Sequence, residues 1–445
     1  MRTIDDAAPP PGALKRTLGT VHLWGLAVGL VISGEYFGWS YGWGVSGPLG
    51  FLLATGIVVA LYVPLALCLS ELATAVPEAG GAFAYAQRAF GPWGGYLAAV
   101  ASIVEFALAP PAIAFGLGSY LHVLMPTVNA SVAACLALLA FGIVNLAESK
   151  QSARFETLVT FVAIGELLVF IGVALPSFQL ANVTRDGWMG GAPGVFAALP
   201  FAIWFFLGIE GTALAAEEAK DPARDLPRGF LYGIGTLVVL ALGVMAAAGG
   251  AGDWKRLNAM DFPIPEAVSM ALGPTHPWVK GFAGLGLFGL IASLNGILFS
   301  AARQVFAVAR AGLLPASLAT VTGTGVPVRA VACIVAVGLV SIVSGKTADL
   351  ITLSALGALG AYFASAASLL RLRETEPALE RTFCVPFFPW IPRITLALTV
   401  LCFAAIAASN PRIAAAFVVI VAGAVAWRFV ARRPAVPSRV EPQNP

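Results

Sequence analysis

Val28–Trp43 reads VGLVISGEYFGWSYGW. It is an apolar helix that carries Ser33-Gly34 at its middle and then an acid, Glu35. A charge at that depth in hydrocarbon costs roughly 3 kcal/mol on insertion scales, which marks the position as functional by default. The Ser-Gly pair beside it weakens the helix, so backbone groups there are expected to be free to face a ligand. The rest of the chain is read as the scaffold around this stretch.

The 445 residues are 59% hydrophobic and only 11% charged, with a mean hydropathy of +0.86. A soluble domain carries about 25% charge. The chain is therefore an all-α integral membrane protein, because long apolar runs between short polar loops do not suit a barrel of short alternating strands. The net charge of +3 forms no basic patch, so no nucleic acid partner is expected. The five cysteines are scattered through apolar segments without metal-ligand spacing and read as small core hydrophobes. The first residues lack the charged-then-apolar order of a signal peptide. No nucleophile triad, phosphate loop or cofactor motif is visible, which argues against an enzyme and against any cofactor.

Runs of the ~20 residues needed to span a bilayer fall near 19–43, 48–70, 94–124, 127–147, 156–176, 194–216, 230–250, 277–308, 328–344, 348–370, 393–409 and 412–431, about twelve transmembrane helices. With the N-terminus inside, only Arg185, Lys255, Arg256, Lys280, Lys346 and Arg412 of the 26 Lys and Arg fall outside. That bias places both termini in the cytoplasm and the protein in the cell membrane, with the lipid bilayer as its surround. The division expected is a cytoplasmic tail over 1–18, a ten-helix core over 19–370, two further helices over 371–431 and a second tail over 432–445. A weak internal echo supports the core: the first helix runs outward with Ser33-Gly34-Glu35, and the sixth runs inward with Leu207-Gly208-Ile209-Glu210-Gly211. Two glycine-interrupted helices of opposite direction point to an inverted-repeat transporter with its site at the bilayer midplane.

Four glutamates lie at depth, Glu35, Glu105, Glu166 and Glu210, and no Lys or Arg lies well inside a span to pair with them. Either they are protonated and hydrogen-bonded to neighbouring helices, or a mobile cation supplies the missing charge. Both readings describe a cavity suited to positive charge: an organic cation, a proton or a sodium ion. Aromatic residues flank these acids, Tyr36 and Phe37 after Glu35 and Trp204 before Glu210, and ring faces attract an ammonium by ~0.5–2 kcal/mol each. Trp204, one turn before the break, is read as a gate. Tyr41 and Trp43 read as members of the interfacial aromatic belt. Asn295, polar within the eighth helix, lines the cavity or makes an interhelical hydrogen bond. Pro110-Pro111 must break or kink the third helix just after Glu105.

Two long motifs carry a resemblance. Glu71-Leu-Ala-Thr-Ala-Val-Pro-Glu-Ala-Gly-Gly-Ala-Phe-Ala-Tyr85, continuing through Arg88-Ala-Phe-Gly-Pro-Trp-Gly-Gly95, resembles the hallmark that follows the second helix of the amino acid–polyamine–organocation (APC) transporters. Gly208-Ile-Glu-Gly-Thr-Ala-Leu-Ala-Ala-Glu-Glu-Ala-Lys-Asp-Pro-Ala-Arg-Asp-Leu-Pro-Arg-Gly229 is similar to that superfamily's sixth helix and loop. The resemblance implies a LeuT-type fold of five plus five inverted helices with two more at the C-terminus, working by alternating access. The family's amino-acid carriers have Gly-Ser/Thr-Gly and then an apolar residue in the first helix, where freed N–H groups cradle the substrate carboxylate. Here Ile32 replaces the first glycine and Glu35 follows the second, so the departure favours an amine without a carboxylate. Ile32–Trp39 together with Glu105–Ala114 is similar to the ethanolamine permease branch. The resemblance thus implies import of a small protonated amine, most simply ethanolamine, with a neutral or cationic amino acid as the alternative. Together with the buried acids and flanking aromatics, the substrate contacts expected are Ser33, Gly34, Glu35, Tyr36, Glu105, Trp204, Gly208, Glu210 and Asn295, and no obligatory protein partner is expected. Proton-coupled relatives often carry a lysine in the fifth helix; this one offers Glu166 instead. Coupling is to H+ through a glutamate, to Na+, or absent, and the candidate coupling residues are Glu166, Glu105 and Glu210.

Overall fold

The computed structural model describes residues 17–77, 80–146, 153–322, 325–343 and 346–430. The tails over 1–16 and 431–445 lie outside the described residues. Among the described residues, fifteen α-helices follow one another. They are α1 Thr20–Val31, α2 Ser33–Tyr36, α3 Trp39–Ala75, α4 Ala82–Leu124, α5 Ala130–Leu146, α6 Ala153–Ala174, α7 Leu180–Thr184 and α8 Gly191–Trp204. After these come α9 Pro222–Gly250, α10 Pro263–Leu272, α11 Pro277–Arg310, α12 Val328–Val343, α13 Thr347–Thr375, α14 Trp390–Ser409 and α15 Pro411–Val430. Nine described segments are long and apolar enough to cross a membrane, and α1, α5 and α12 are shorter apolar helices. These correspond to the twelve runs read from the sequence.

Helices form here because nothing in hydrocarbon can satisfy free backbone groups, so every N–H and C=O must be paired within its own segment. α4 is buried along most of its length and packs on α13, α11 and α5. α15 buries only Phe417 and forms the periphery. Bends fall at glycines: Gly47 (φ 66°) divides α3, and Gly91 (φ 73°) divides α4. Pro110 and Pro111 do not break α4, which stays helical through both. Their missing N–H groups leave the carbonyls of Phe106 and Ala107 without the usual donor four residues on.

Two helices are interrupted at mid-depth. The first keeps helical backbone angles through Ile32 (φ −57°, ψ −19°) and leaves helical geometry at Phe37-Gly38, where Gly38 has φ 97°. The second ends at Trp204, turns through Gly208 at φ 98°, and continues as a 3-10 helix, Ile209–Glu218. Gly34 itself is helical, so the weakest point expected there lies four residues further on. An L side chain is strained at positive φ, and Gly38 and Gly208 absorb these turns. The far end of the 3-10 helix is tied to the start of α1 by Thr17 and Leu18 N–H donating to the Glu218 carbonyl, both at 2.9 Å, and by Lys220 N–H donating to the Leu18 carbonyl at 2.8 Å.

Candidate functional site

The two interruptions face each other. A Cβ on Gly34 would stand 2.5 Å from the Trp204 carbonyl oxygen, and one on Gly38 would stand 2.4 Å from the Trp204 ring. Beside this contact lies a narrow cavity, closed down in this conformation, lined by Leu30, Ser33, Ala109, Ile113, Trp204, Leu207 and Ile297. Ser33 is its only side-chain hydroxyl; the rest is aliphatic or aromatic. Trp204 is buried, packs edge-on against Phe37 with ring centroids 5.7 Å apart, and has no hydrogen-bond partner for its Nε1. It stands where the sequence reading places a gate.

Ser293 of α11 stabilises the interrupted helix. Its hydroxyl donates to the Leu30 carbonyl at 2.6 Å, and its oxygen lies 2.8 Å from Ser33 Oγ. A buried carbonyl left without a donor costs about 1–3 kcal/mol. Ser293→Ala should therefore lower thermal stability by an amount in that range and slow uptake several-fold, whereas Ser293→Thr should keep both; melting in detergent and transport rates check it. The sequence reading passed over Ser293, because a serine in an apolar helix usually bonds its own preceding turn.

The acids are distributed over three places. Glu166 accepts from Tyr36 Oη at 2.7 Å, and that hydroxyl also lies 3.2 Å from the Ala163 carbonyl. Tyr120 Oη donates to the Tyr36 carbonyl at 2.9 Å, so the turn after Glu35 is held from both α6 and α4. Glu210 Oε2 accepts from Tyr362 Oη at 2.9 Å, Tyr362 meets Tyr62 Oη at 2.9 Å, and the Glu105 carboxyl neighbours that of Glu210. Glu35 is fully buried and neither of its carboxyl oxygens has a partner; its backbone carbonyl accepts from Trp39 Nε1 at 3.1 Å and its N–H donates to the Ile32 carbonyl at 3.0 Å. None of the four takes part in an ion pair among the described residues.

Several expectations need correction. The acids do not line the central cavity; Glu210 opens into a second cavity of about 370 Å3, and Glu35 lines neither. Of the two roles read for Asn295, the interhelical hydrogen bond is present: it accepts from Asn145 Nδ2 at 2.9 Å, tying α11 to α5, and lines neither cavity. Trp43 is not in a lipid-facing belt: it is fully buried against Trp39 and Trp254. Tyr41 donates to Asp261 at 2.8 Å, so it too serves a protein contact. The apolar lining residues Ile113, Leu207 and Ile297 carry no chemical signal in a sequence that is mostly apolar.

On the side opposite residues 17–18, the segment before α10 straps over the start of α3. Ser40 Oγ donates to the Met260 carbonyl at 2.8 Å, and Thr347 Oγ1 donates to Asp261 at 3.1 Å. Burial pushes the Asp261 carboxyl above its ordinary range, partly offset by the Tyr41 and Thr347 hydroxyls. At the surface, the Lys255 ammonium, 2.8 Å away, holds the Asp186 carboxyl below its ordinary value.

The family profile described as "Amino acid permease" matches residues 18–434. An uncharacterized transporter of Rhizobium meliloti (strain 1021) is 29% identical over 411 residues, covering 89% of this chain and 87% of the relative. The methylthioribose transporter of Bacillus subtilis (strain 168) is 26% identical over 420 residues, covering 86% and 87%. The branched-chain amino acid permease BcaP of the same organism is 26% identical over 429 residues, covering 86% of each.

Proposed function

The chain belongs to the amino acid permease family, and from that premise we propose that this membrane transporter imports a small protonated amine, with ethanolamine as its substrate. That it is a transporter and not an enzyme follows from the family itself. The reading extends to alternating access by a LeuT-type inverted repeat over 19–370, with 371–431 as the two additional helices. It also extends to a cytoplasmic-membrane location with both termini inside. Two interrupted helices meeting at glycines, and the asymmetry of Lys and Arg between the two faces, support it.

One observation carries the substrate class. On the turn where amino-acid carriers of this family cradle a carboxylate, Ile32 fills a glycine position and Glu35 is buried with both oxygens unpartnered. A substrate carboxylate there would meet a like charge in low dielectric, whereas an ammonium would relieve one. Ser33 offers a hydroxyl to the alcohol, and the aliphatic wall takes the short carbon chain. Glu35 touches neither cavity wall in this conformation, so its part is electrostatic until the turn moves. Glu166, Glu105 and Glu210 remain the residues proposed to couple transport to H+ or Na+.

The test is radiolabelled ethanolamine uptake into proteoliposomes at fixed external pH, with and without an inward proton gradient. Glu35→Gln should cut saturable uptake at least tenfold while the protein purifies as a single folded species. Unchanged uptake by that variant would remove Glu35 from the mechanism. A second reading, a carrier of branched apolar amino acids, is favoured by the lining of Leu30, Ile113, Leu207 and Ile297 and by the relative named as a branched-chain amino acid permease. Competition by leucine and not by ethanolamine would establish it.

A further inference from the structure

The larger cavity, about 370 Å3, is separate from the central one: no residue lines both. The turn Leu207–Glu210 divides them, with Leu207 on the central side and Glu210 on the other. Its rim includes Gly81, Ala82 and Leu214, so it lies on the side of the molecule where residues 17–18 meet the 3-10 helix. Its inner end is acidic. Glu210 Oε1 is buried without a partner, while Oε2 is held by Tyr362. Behind Glu210 the Glu105 carboxyl is completely buried, and its polar neighbour is the Glu210 carboxyl. Gln304, Ser102 and Ser365 add polar atoms around the wall, and Phe106 and Tyr85 add ring surface.

The geometry points to a second amine site in this cavity, distinct from the central one and lying on the path to the face that carries residues 17–18. The ammonium donates to Glu210 Oε1 and to the side-chain carbonyl of Gln304, and a hydroxyl on its short chain reaches Ser102. When both are ionised, two adjacent buried carboxyls repel each other, and one cation placed beside them offsets that repulsion for both. Aromatic rings and aliphatic carbons make up much of the remaining wall, which suits an organic ammonium better than a metal ion that requires an oxygen shell. Tyr362 positions the acid: its hydroxyl fixes Oε2, and Tyr62 fixes the hydroxyl in turn. The site rests on the amine reading above, and it makes the transporter a two-station carrier, one station on each side of the interrupted sixth helix.

Equilibrium binding of radiolabelled ethanolamine to the purified full chain in detergent tests this. Two equivalents are expected per wild-type protein. Gln304→Leu and Tyr362→Phe should each leave one, and Ile113→Phe, which fills the central cavity, should leave the other. Ser102→Val serves as an independent variant should Tyr362→Phe fold poorly, and excess sodium or potassium should displace neither equivalent. A single equivalent in wild type, unchanged by Gln304→Leu and Ser102→Val, would overturn the second site and leave ethanolamine as the substrate of the central one. An equivalent displaced by sodium would overturn it in favour of a metal cation. Absence of ethanolamine binding alongside retained leucine binding would overturn both readings together.

Discussion

Glu71→Ala is expected to destabilise the purified transporter by about 3–5 kcal/mol, the cost of removing one partner from a buried ion pair. Glu71 sits near the end of α3 with no exposed side-chain surface. Its two oxygens take Arg373 Nε at 2.7 Å and Nη2 at 2.8 Å, the backbone N–H of Val385 at 2.6 Å, and Arg381 Nε at 3.2 Å. One carboxylate thus joins α3, the end of α13 and the segment leading to α14. Deleting it leaves two guanidinium groups and a buried N–H without their acceptor. Glu71→Gln should recover little, because an amide presents one acceptor oxygen where two are in use. The contrast is Arg88→Ala, which breaks the Arg88–Glu376 pair, 38% and 36% exposed. The Arg88 guanidinium holds the Glu376 carboxyl below its ordinary range, yet water screens a pair of this kind, and its loss should cost under about 1 kcal/mol. Glu71→Leu combined with Arg373→Met should restore part of the stability. Arg381 still reaches the carbonyls of Leu372, Glu376 and Leu379, but the Val385 N–H stays unpaired. Thermal unfolding of the four variants in one detergent decides it; equal shifts for Glu71→Ala and Arg88→Ala would overturn the reading.

The same cluster shows how far the sequence could be read. The run from Glu71 to Tyr85 stands out as a motif, but Arg373 and Arg381 lie some 300 positions away, and nothing local couples them to it. The spanning segments were legible because each has to satisfy its own backbone in lipid. The depth of Glu35, Glu105, Glu166 and Glu210 was legible for the same reason. The direction each faces was not, because helix rotation is set by neighbours: Glu210 opens into one cavity, Glu166 meets Tyr36, and Glu35 meets no partner. The position of the first interruption illustrates the limit. Glycines occur at 29, 34, 38 and 42, and the one that takes positive φ is the one lying against the Trp204 ring. Gly34 is glycine for a different reason, the close approach of another backbone.

That close approach predicts a large functional effect from one methyl group. Gly34→Ala should reduce uptake at least tenfold and lower the melting temperature. Its Cβ would stand 2.5 Å from the Trp204 carbonyl oxygen and 3.0 Å from the Phe205 Cα. Both are backbone atoms at the point where the sixth helix turns, so no side-chain rotation can make room. Relief requires the two interrupted helices to separate, and overpacking of this kind costs typically 1–3 kcal/mol. Separation also displaces Ser33 and Trp204, which face each other across the central cavity, and it loads the Ser293–Leu30 hydrogen bond. Stability and transport should therefore fall together. Gly165→Ala and Gly172→Ala in α6 are the controls, because a Cβ at either meets nothing within 4 Å. In a helix interior, alanine in place of glycine favours folding by ~0.5–1 kcal/mol, so these two variants should melt slightly higher and transport normally. Normal uptake by Gly34→Ala would mean that the two helices need not touch at this glycine for the transport cycle to run. A loss confined to melting temperature would make the contact a matter of stability alone.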